Sequence, residues 1–517
     1  MKHRTASGEW QTLDMKRTTF IDRCIQYAGW TLPRLYPPRG FDQLTQEQGH
    51  EWQSVGAQAV NHVVNKLVLS LFAPSRPFMR LEASKAFLLQ AAQQGLKEEI
   101  IVEALTEGER KATRELDKLG IRPDLYTSLQ HLVALGNVCT YMPNKEKEDF
   151  QVYGLDEYVV RRTQTGKIKT LIIRECLHFA ELEPVVQKAA RENGTYDDED
   201  KVEHFRWIER QADGKYRMSQ WIDNQQLPEE FSAFWPADKM PYHALTWNLN
   251  KKAHYGAGLV EDYSADFAAL SALSQAQVEG AILASEFRWL VNPGGLTSPE
   301  DLANSKNGDA LPGLKDDVNL VSNSKPGDLQ VVKDVNADYV RRIGYGFLLN
   351  SAVTRDAERV TAEEIKTQAL ELETSFGGTY SRLAGQYQRP LAHWLLKSAK
   401  IDIQGTQVEV TIITGLDALS RSGDLDNLRA ALSDIAQIQA LAPQVLARLN
   451  LEAVLSAIFA GHNLSKGKFV KSEAEAAAEM QQEQAAQQQS QQNQAVQNGV
   501  AQAAGNAAVQ AAVPQQP

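Results

Sequence analysis

The sequence predicts an α+β fold: a first half of mixed helices and strands, then a second half built from long helices. Three observations predict it. Strand-like runs joined by glycine-containing turns fall between residues 137 and 249. From about Gly258, apolar residues recur at helical spacing through 259–286 and again from Leu329. A stretch rich in Gly, Pro, Asn, Ser and Asp, 287–330, separates these two helices.

Trp10–Tyr27 has apolar residues at helical spacing, and TLPRLYPPRG with Pro33, Pro37 and Pro38 ends that helix. A second helix covers Trp52 to Phe72, with Val55, Ala59, Val63, Leu67 and Phe72 near one face and Lys66 on another. PFMRLEAS reads as a short strand, 88–119 and 124–136 as helices, and NVCTYMP as a strand. Tyr158–Arg162 and Lys167–Glu175 flank TQTG and form a hairpin. A second hairpin pairs 203–210 with 215–222 through Asp213-Gly214, the signature of a type I′ turn. A strand follows near Tyr242–Leu249, while the acidic YDDEDK, 196–201, reads as a solvated loop rather than an acidic metal site.

In the second half, Leu259, Tyr263, Phe267, Leu270, Val278 and Ile282 form one stripe. Small residues, among them Ala268, Ala272 and Ala276, flank it and let other helices approach closely. Asn292-Pro293-Gly294-Gly295 breaks the helix. The next helix sets Val332, Val335, Tyr339, Ile343 and Phe347 on one face and Asp334, Asp338, Arg341 and Arg342 elsewhere. Two long helices thus bracket a small irregular insert. Further on, a helix at 362–376 is expected to stop at Gly377-Gly378, and one at 379–399 to kink at Pro390. VEVTIITG reads as a strand, and Leu425–Phe459 as helical with a break at Pro443. The last 47 residues hold 14 Gln and 14 Ala and too few large apolar side chains to pack a core, so they are expected to be disordered.

Composition narrows the function. At 517 residues, 43% apolar and 23% charged, the chain matches a soluble globular protein of two to four domains. No window approaches a membrane-spanning apolar run, and MKHRTASGEW lacks the apolar core of a secretory signal. Cys24, Cys139 and Cys176 are too few and too widely spaced for a disulfide scaffold or a structural zinc site, which points to a reducing cytoplasm. The net charge of −11 argues against a protein that coats nucleic acid, because phosphate neutralisation needs a basic surface. It is compatible with one that surrounds DNA, where a repulsive wall avoids sticking and a few placed arginines guide.

Nucleotide, zinc-protease and serine-hydrolase signatures are missing. Gly256-Ala257-Gly258 starts like a dinucleotide loop, but the third glycine position is Glu261, so a turn into the next helix is the better reading. His62, His131 and His393 fall on predicted helices and read as core or surface residues; no cofactor and no metal is expected. The most distinctive segment is LLNSAVTRDAERVTAEEI, 348–365. It places Arg355, Asp356, Glu358 and Arg359 in a loop, and the next helix opens with a capping box from Thr361 to Glu364. A solvated helix–helix turn satisfies the same local pattern.

Together with SVGAQAVNHVVNKLVLSLFAP (54–74), LGNVCTYMP (135–143), EYVVRRTQTGKIKTLIIRE (157–175) and LVNPGG (290–295), this segment resembles the portal proteins, or head-to-tail connectors, of short-tailed bacteriophages. The resemblance runs from about residue 20 to residue 465. It implies a cyclic ring, usually of twelve subunits, at one vertex of the capsid, assembled in the host cytoplasm. It also implies a wing at 1–258, stem helices at 259–286 and 329–350, and a clip at 287–328. A tunnel loop at 351–360, a wing return at 361–424 and a crown at 425–470 complete the assignment; the tail at 471–517 has no counterpart. The resemblance makes Arg355 and Arg359 the residues that touch DNA, and Lys333, Arg341 and Arg342 residues that line the channel. Ala268, Ala272 and Ala276 become subunit-packing positions. Implied partners are double-stranded DNA read without sequence specificity, the terminase large subunit, a tail adaptor and tail proteins. Major capsid, scaffolding and internal core proteins complete the set, and no membrane is involved. An enzyme with an unfamiliar motif, or another phage ring such as a tail adaptor, are the rival readings.

Overall fold

The structure, a computed structural model, describes residues 4–413 apart from 39–40, 42–43, 48–50, 73–76, 96–97, 144–148, 286, 323–325, 350–361, 402 and 404–405. It mixes helices with antiparallel sheets, an α+β architecture. The chain divides into two compact units, Met1–Ser84 with Gly108–Leu419, and Lys85–Glu107 with Ser420–Pro517. The expected tunnel loop, crown and Gln/Ala-rich tail all lie outside the described residues.

In the larger unit, α1 (Ala6–Lys16) starts where the Thr5 hydroxyl accepts from the Gly8 amide at 3.2 Å. The helix does not run on to Tyr27. Arg17 leaves helical geometry, and α2 (Thr18–Trp30) restarts after it. The cause is tertiary: the buried Arg17 guanidinium donates to Asp14 Oδ1 and to the Tyr158 carbonyl, both at 2.9 Å. α3 (Val55–Leu71) buries Ala59, Val60, Val63, Val64, Leu67 and Leu71. Each such valine or leucine contributes about 1.5–3 kcal/mol, so this face fixes the helix.

β1 (Met79–Ala83) closes the first segment of that unit. The smaller unit holds α4 (Lys85–Gln93) and the start of α5 (Glu98–Lys118). The single helix expected at 88–119 is thus two, with Gly95 at φ +81° between them. Back in the larger unit, α6 (Arg122–Leu135) ends on Gly136, a left-handed cap at φ +75°. A Cβ there would lie 2.4 Å from the Ala257 backbone, so two chain segments cross at this glycine.

β2 (Asn137–Tyr141) pairs antiparallel with β3 (Gln151–Tyr153), and a later strand completes this three-stranded sheet. The large sheet follows: β4 (Tyr158–Arg162), β5 (Ile168–His178), then α7 (Pro184–Asn193), β6 (Lys201–Arg210), β7 (Tyr216–Ile222), β8 (Gln225–Gln226) and β9 (Ala233–Trp235), with β8 and β9 both on β7. Both expected hairpins form. Asp213-Gly214 does not make a type I′ turn, which needs positive φ at both central residues. Only Gly214 is left-handed, at φ +86°, and Asp213 Oδ1 instead accepts from the Lys215 amide at 3.0 Å. The first hairpin has the same design, with Gly166 at φ +82°. One sheet face packs Val159, Ile172, Phe205, Trp207 and Trp221 against Ala6, Trp10 and Leu13 of α1. A second core gathers Phe179, Leu182, Val186, Ala189 and Ala190 around Val202, Ile222 and Leu227. The acidic 196–201 stretch is exposed apart from a half-buried Tyr196, and Asp198 pairs with Arg191 there.

β10 (Tyr242–Thr246) joins β2, and Asn137 clasps the main chain of Gly256 through both amide atoms at 2.7 Å. Gly256-Ala257-Gly258 is therefore a turn into α8 (Leu259–Asp262) and α9 (Ser264–Ser285), not a dinucleotide loop. The insert that follows is more regular than its composition predicts. β11 (Phe287–Val291), α10 (Pro299–Asn304) and β12 (Val318–Ser322) build it, with β11 and β12 paired antiparallel. Buried Asp317 organises its base. Its Oδ2 accepts from the Leu296 amide at 2.9 Å and the Leu314 amide at 3.3 Å, and Gly295 leaves room for the carboxylate.

α11 (Pro326–Gly346) returns against α9. α12 (Ala362–Leu383) begins one residue after Thr361 and runs straight through Gly377-Gly378, where the sequence predicts a stop. The glycines are tolerated because Leu372, Tyr380 and Leu383 around them are buried and hold the helix, which continues into a π turn, Ala384–Gln388, and α13 (Arg389–Ser398). Pro390 removes a donor and crowds the carbonyl four residues back, Gln386, which lies inside that π turn. β13 (Val408–Ile412) ends the described chain, paired with β1.

Candidate functional site

The α9/α11 hairpin is the first candidate surface. Phe267 and Leu270 of α9 are buried with Ile343 and Phe347 at the α11 end, and the Phe267 and Phe347 rings meet edge to face at 5.6 Å. Tyr263 lies over Gly346, where any Cβ would fall 2.2 Å from its ring. Midway along, Asn336 Nδ2 donates to Ser274 Oγ at 3.2 Å and Gln277 Oε1 at 3.1 Å. Farther out, Gly280 admits Leu329.

Ala268, Ala272 and Ala276 sit together on the exposed face of α9. The apolar stripe also leaves the core: Val278, Ile282 and Leu283 of α9 and Val331, Val335, Val340 and Tyr345 of α11 are exposed. Lys333, Arg341 and Arg342 are exposed too, but their partners differ. Arg341 is 3.4 Å from Asp338; Arg342 is 3.4 Å from Asp266 and stacks over Tyr339 at 4.2 Å. Lys333 has no ion-pair partner among the described residues.

Arg355 and Arg359 lie outside the described residues, but both flanks of their segment are held by one helix. Leu348 takes φ +57°, an unfavourable conformation for a residue with a bulky side chain. Its carbonyl accepts from Lys66 Nζ at 3.4 Å and lies 3.1 Å from His62 Nε2. The same Lys66 ammonium reaches Glu371 of α12 at 2.8 Å and is only 5% exposed. Burial first, and the Lys66 charge second, hold His62 below the ordinary histidine range. An uncharged His62 takes its Nε2 proton to donate to Leu348. Sequence reading missed this clamp. Its signal is a His and a Lys four residues apart in a helix, and therefore on one side of it. His131 behaves differently: enclosure on α6 pushes it down to about 4, a core histidine. His393 of α13 reaches the surface, where partial desolvation, then nearby Arg389, lowers it.

Among the described residues, no group of three or more His, Cys, Asp or Glu could hold a metal ion, and no helix is long and apolar enough to cross a membrane. A sequence model described as bacteriophage head to tail connecting protein matches residues 3–466. The chain belongs to that family. It is 32% identical to the portal protein of Enterobacteria phage SP6 over 92% of this chain and 91% of the relative. The portal protein of Escherichia phage T7 is likewise 32% identical, over 85% and 82% of the two chains. That of Pseudomonas phage phiKMV is 31% identical over 93% and 94%. Among solved structures, a chain from the neck of an empty gene transfer agent particle is 12% identical, covering 74% of this chain and 86% of its own, with a TM-score of 0.36. That likeness is too remote to bear on the fold. Membership in the connector family makes this chain a virion component that joins phage head to tail.

Proposed function

We propose that this chain is the subunit of a portal ring, usually of twelve copies, through which double-stranded DNA enters and leaves the capsid at one vertex. The observation that carries the proposal is the α9/α11 hairpin, which leaves Val278, Ile282, Leu283, Val331, Val335, Val340 and Tyr345 exposed in a single chain. Exposed apolar surface on such a scale marks a surface meant for a partner. A closed ring of identical subunits covers it with copies of itself. In this reading α9 and α11 are the stem, and the β11/β12 insert is the clip, where the terminase large subunit and then a tail adaptor dock. The α/β half is the wing, facing capsid, scaffolding and internal core proteins. The assembly forms in the host cytoplasm.

Twelve copies carry a formal charge of −132, twelve times −11. Such a wall repels DNA over most of the channel and leaves contact to a few cations. Arg355 and Arg359 are the proposed contacts, binding phosphate without reading sequence. Of the stem cations, Lys333 is the most available, since Arg341 and Arg342 already face carboxylates. The ring performs no chemistry; the packaging motor supplies the energy. The test is Ala272→Trp, at an exposed position where the lone chain has room. Overpacking at a subunit contact costs about 1–3 kcal/mol per interface, so ring yield by native mass measurement should fall sharply while the monomer keeps its fold. Undisturbed rings would remove α9 from the subunit contact.

A further inference from the structure

A cavity of about 310 Å³ opens beside α1, α2, β4 and the loop before α8, lined by Leu13, Lys16, Arg17, Phe20, Val160, Arg161, His254 and Tyr255. Its polar lining is one-sided: three permanent cations and no carboxylate. Asp14 pairs with Arg17 at 2.9 Å from outside the lining, and Glu9 is 2.6 Å from Arg4 but 4.0 Å from Arg161.

The hydrogen bonds leave donors rather than acceptors. Arg161 donates to Thr170 Oγ1 at 3.2 Å, while its enclosed Nε has no hydrogen-bond partner. The Arg162 amide donates to His254 Nδ1 at 3.2 Å, which puts the imidazole proton on Nε2 as a further donor. The Tyr255 hydroxyl oxygen already accepts from the Val160 amide at 3.0 Å and Arg17 at 3.4 Å, leaving its own proton to give. Lys16 is exposed, with no ion-pair partner among the described residues. Burial, then Arg161, Arg162 and Lys16, hold His254 below the ordinary histidine range, as expected where cations crowd together.

We propose that this cavity binds a phosphate group, free or carried by a nucleotide. Side-chain cations and donors with no carboxylate among the lining residues favour a ligand that only accepts. A single carboxylate brings one charge, whereas a phosphate monoester brings about −1.5 to −2 at neutral pH and three acceptor oxygens. Arginine's fork suits such an oxyanion, and Phe20 offers an apolar wall for a sugar or base.

The test is calorimetric titration of the full chain at constant ionic strength with inorganic phosphate, dAMP and succinate. Phosphate and dAMP should bind, and Arg161→Gln should weaken both by about ten-fold or more, the loss expected for one charge-assisted hydrogen bond. Lys16→Gln, at an exposed position, should act in the same direction and carries the comparison if the first variant misfolds. Lys215→Gln, in the second hairpin, should change nothing. Tighter binding of dAMP than of phosphate identifies a nucleotide as the source, and equal binding identifies bare phosphate. No phosphate binding, succinate binding as tight as phosphate, or undiminished affinity in both variants would overturn the proposal.

Discussion

Lys66 offers the sharpest test of how the flanks of the 350–361 segment are held. Its side chain is 7% exposed and that of its partner Glu371 is 29% exposed, so the two single substitutions are not equivalent. In Lys66→Met, the Glu371 carboxylate is left near enough to solvent to rehydrate, and the loss should be about 1–2 kcal/mol. In Glu371→Leu, the ammonium stays enclosed with less compensation, and the cost rises to about 3 kcal/mol. The double variant removes both charges and should lose only about 1 kcal/mol, a coupling of about 3–4 kcal/mol across the pair. Urea unfolding of the full chain gives the three midpoints, and amide exchange reports whether Phe347 and Leu348 open early. Equal losses for the two single variants, or additive losses in the double, would show that the pair does not hold these helices together.

The remaining expectations are more direct. Arg355→Ala with Arg359→Ala should leave ring formation intact but lower the yield of stable DNA-filled heads; yields equal to wild type would return the segment to a plain helix–helix turn. Arg161 and Arg162 make a poor control for that experiment, since buried Arg162 donates to the carbonyls of Ala244, His254 and Gly166; Lys215→Gln is the better choice. Asp317→Ala strands two amides at the base of the insert and should cost it about 2 kcal/mol, seen as faster proteolysis between residues 292 and 318; unchanged cleavage would refute the organising role. Gly377→Ala and Gly378→Ala each place a Cβ where nothing lies within 4 Å and should stabilise α12 by about 0.5–1 kcal/mol, read as a raised unfolding midpoint.

What the sequence made legible depended on how local the cause was. The two hairpins and the turn at Asn292–Gly295 were readable because glycine and alternation act within a few residues. The break at Arg17 was not, because its cause is a carbonyl 141 residues away, at Tyr158. Gly377-Gly378 read as a stop on propensity alone, and packing of the surrounding helix overrides a cost of about 1 kcal/mol per glycine. The β11/β12 ribbon was hidden because its strands pair across the whole insert. At the candidate sites, the sequence marked Ala268, Ala272 and Ala276 as small residues for close helix approach and set Arg341 and Arg342 off the apolar face, but only the structure shows that all five are exposed in the single chain. Of the Lys66 clamp only the His62–Lys66 spacing was readable, because its acid lies 305 residues on, and the cavity beside Lys16 and Arg161 was not, because it gathers three separate stretches of chain.

The amide of Asn336 has a mechanical consequence. Its two bonds reach Ser274 and Gln277, which lie three residues apart on one side of α9, a serine–glutamine pair that neither neighbouring turn of α9 repeats. Sliding one helix along the other by a single turn, about 5.4 Å, breaks both bonds and drives Leu329 away from the gap at Gly280. A polar pair of this kind acts as a registry pin, as a buried asparagine does in a coiled coil. Under axial load the two helices would therefore tilt or bend as one strut before they slipped past each other, and displacement at one end of the hairpin would reach the other end with little loss.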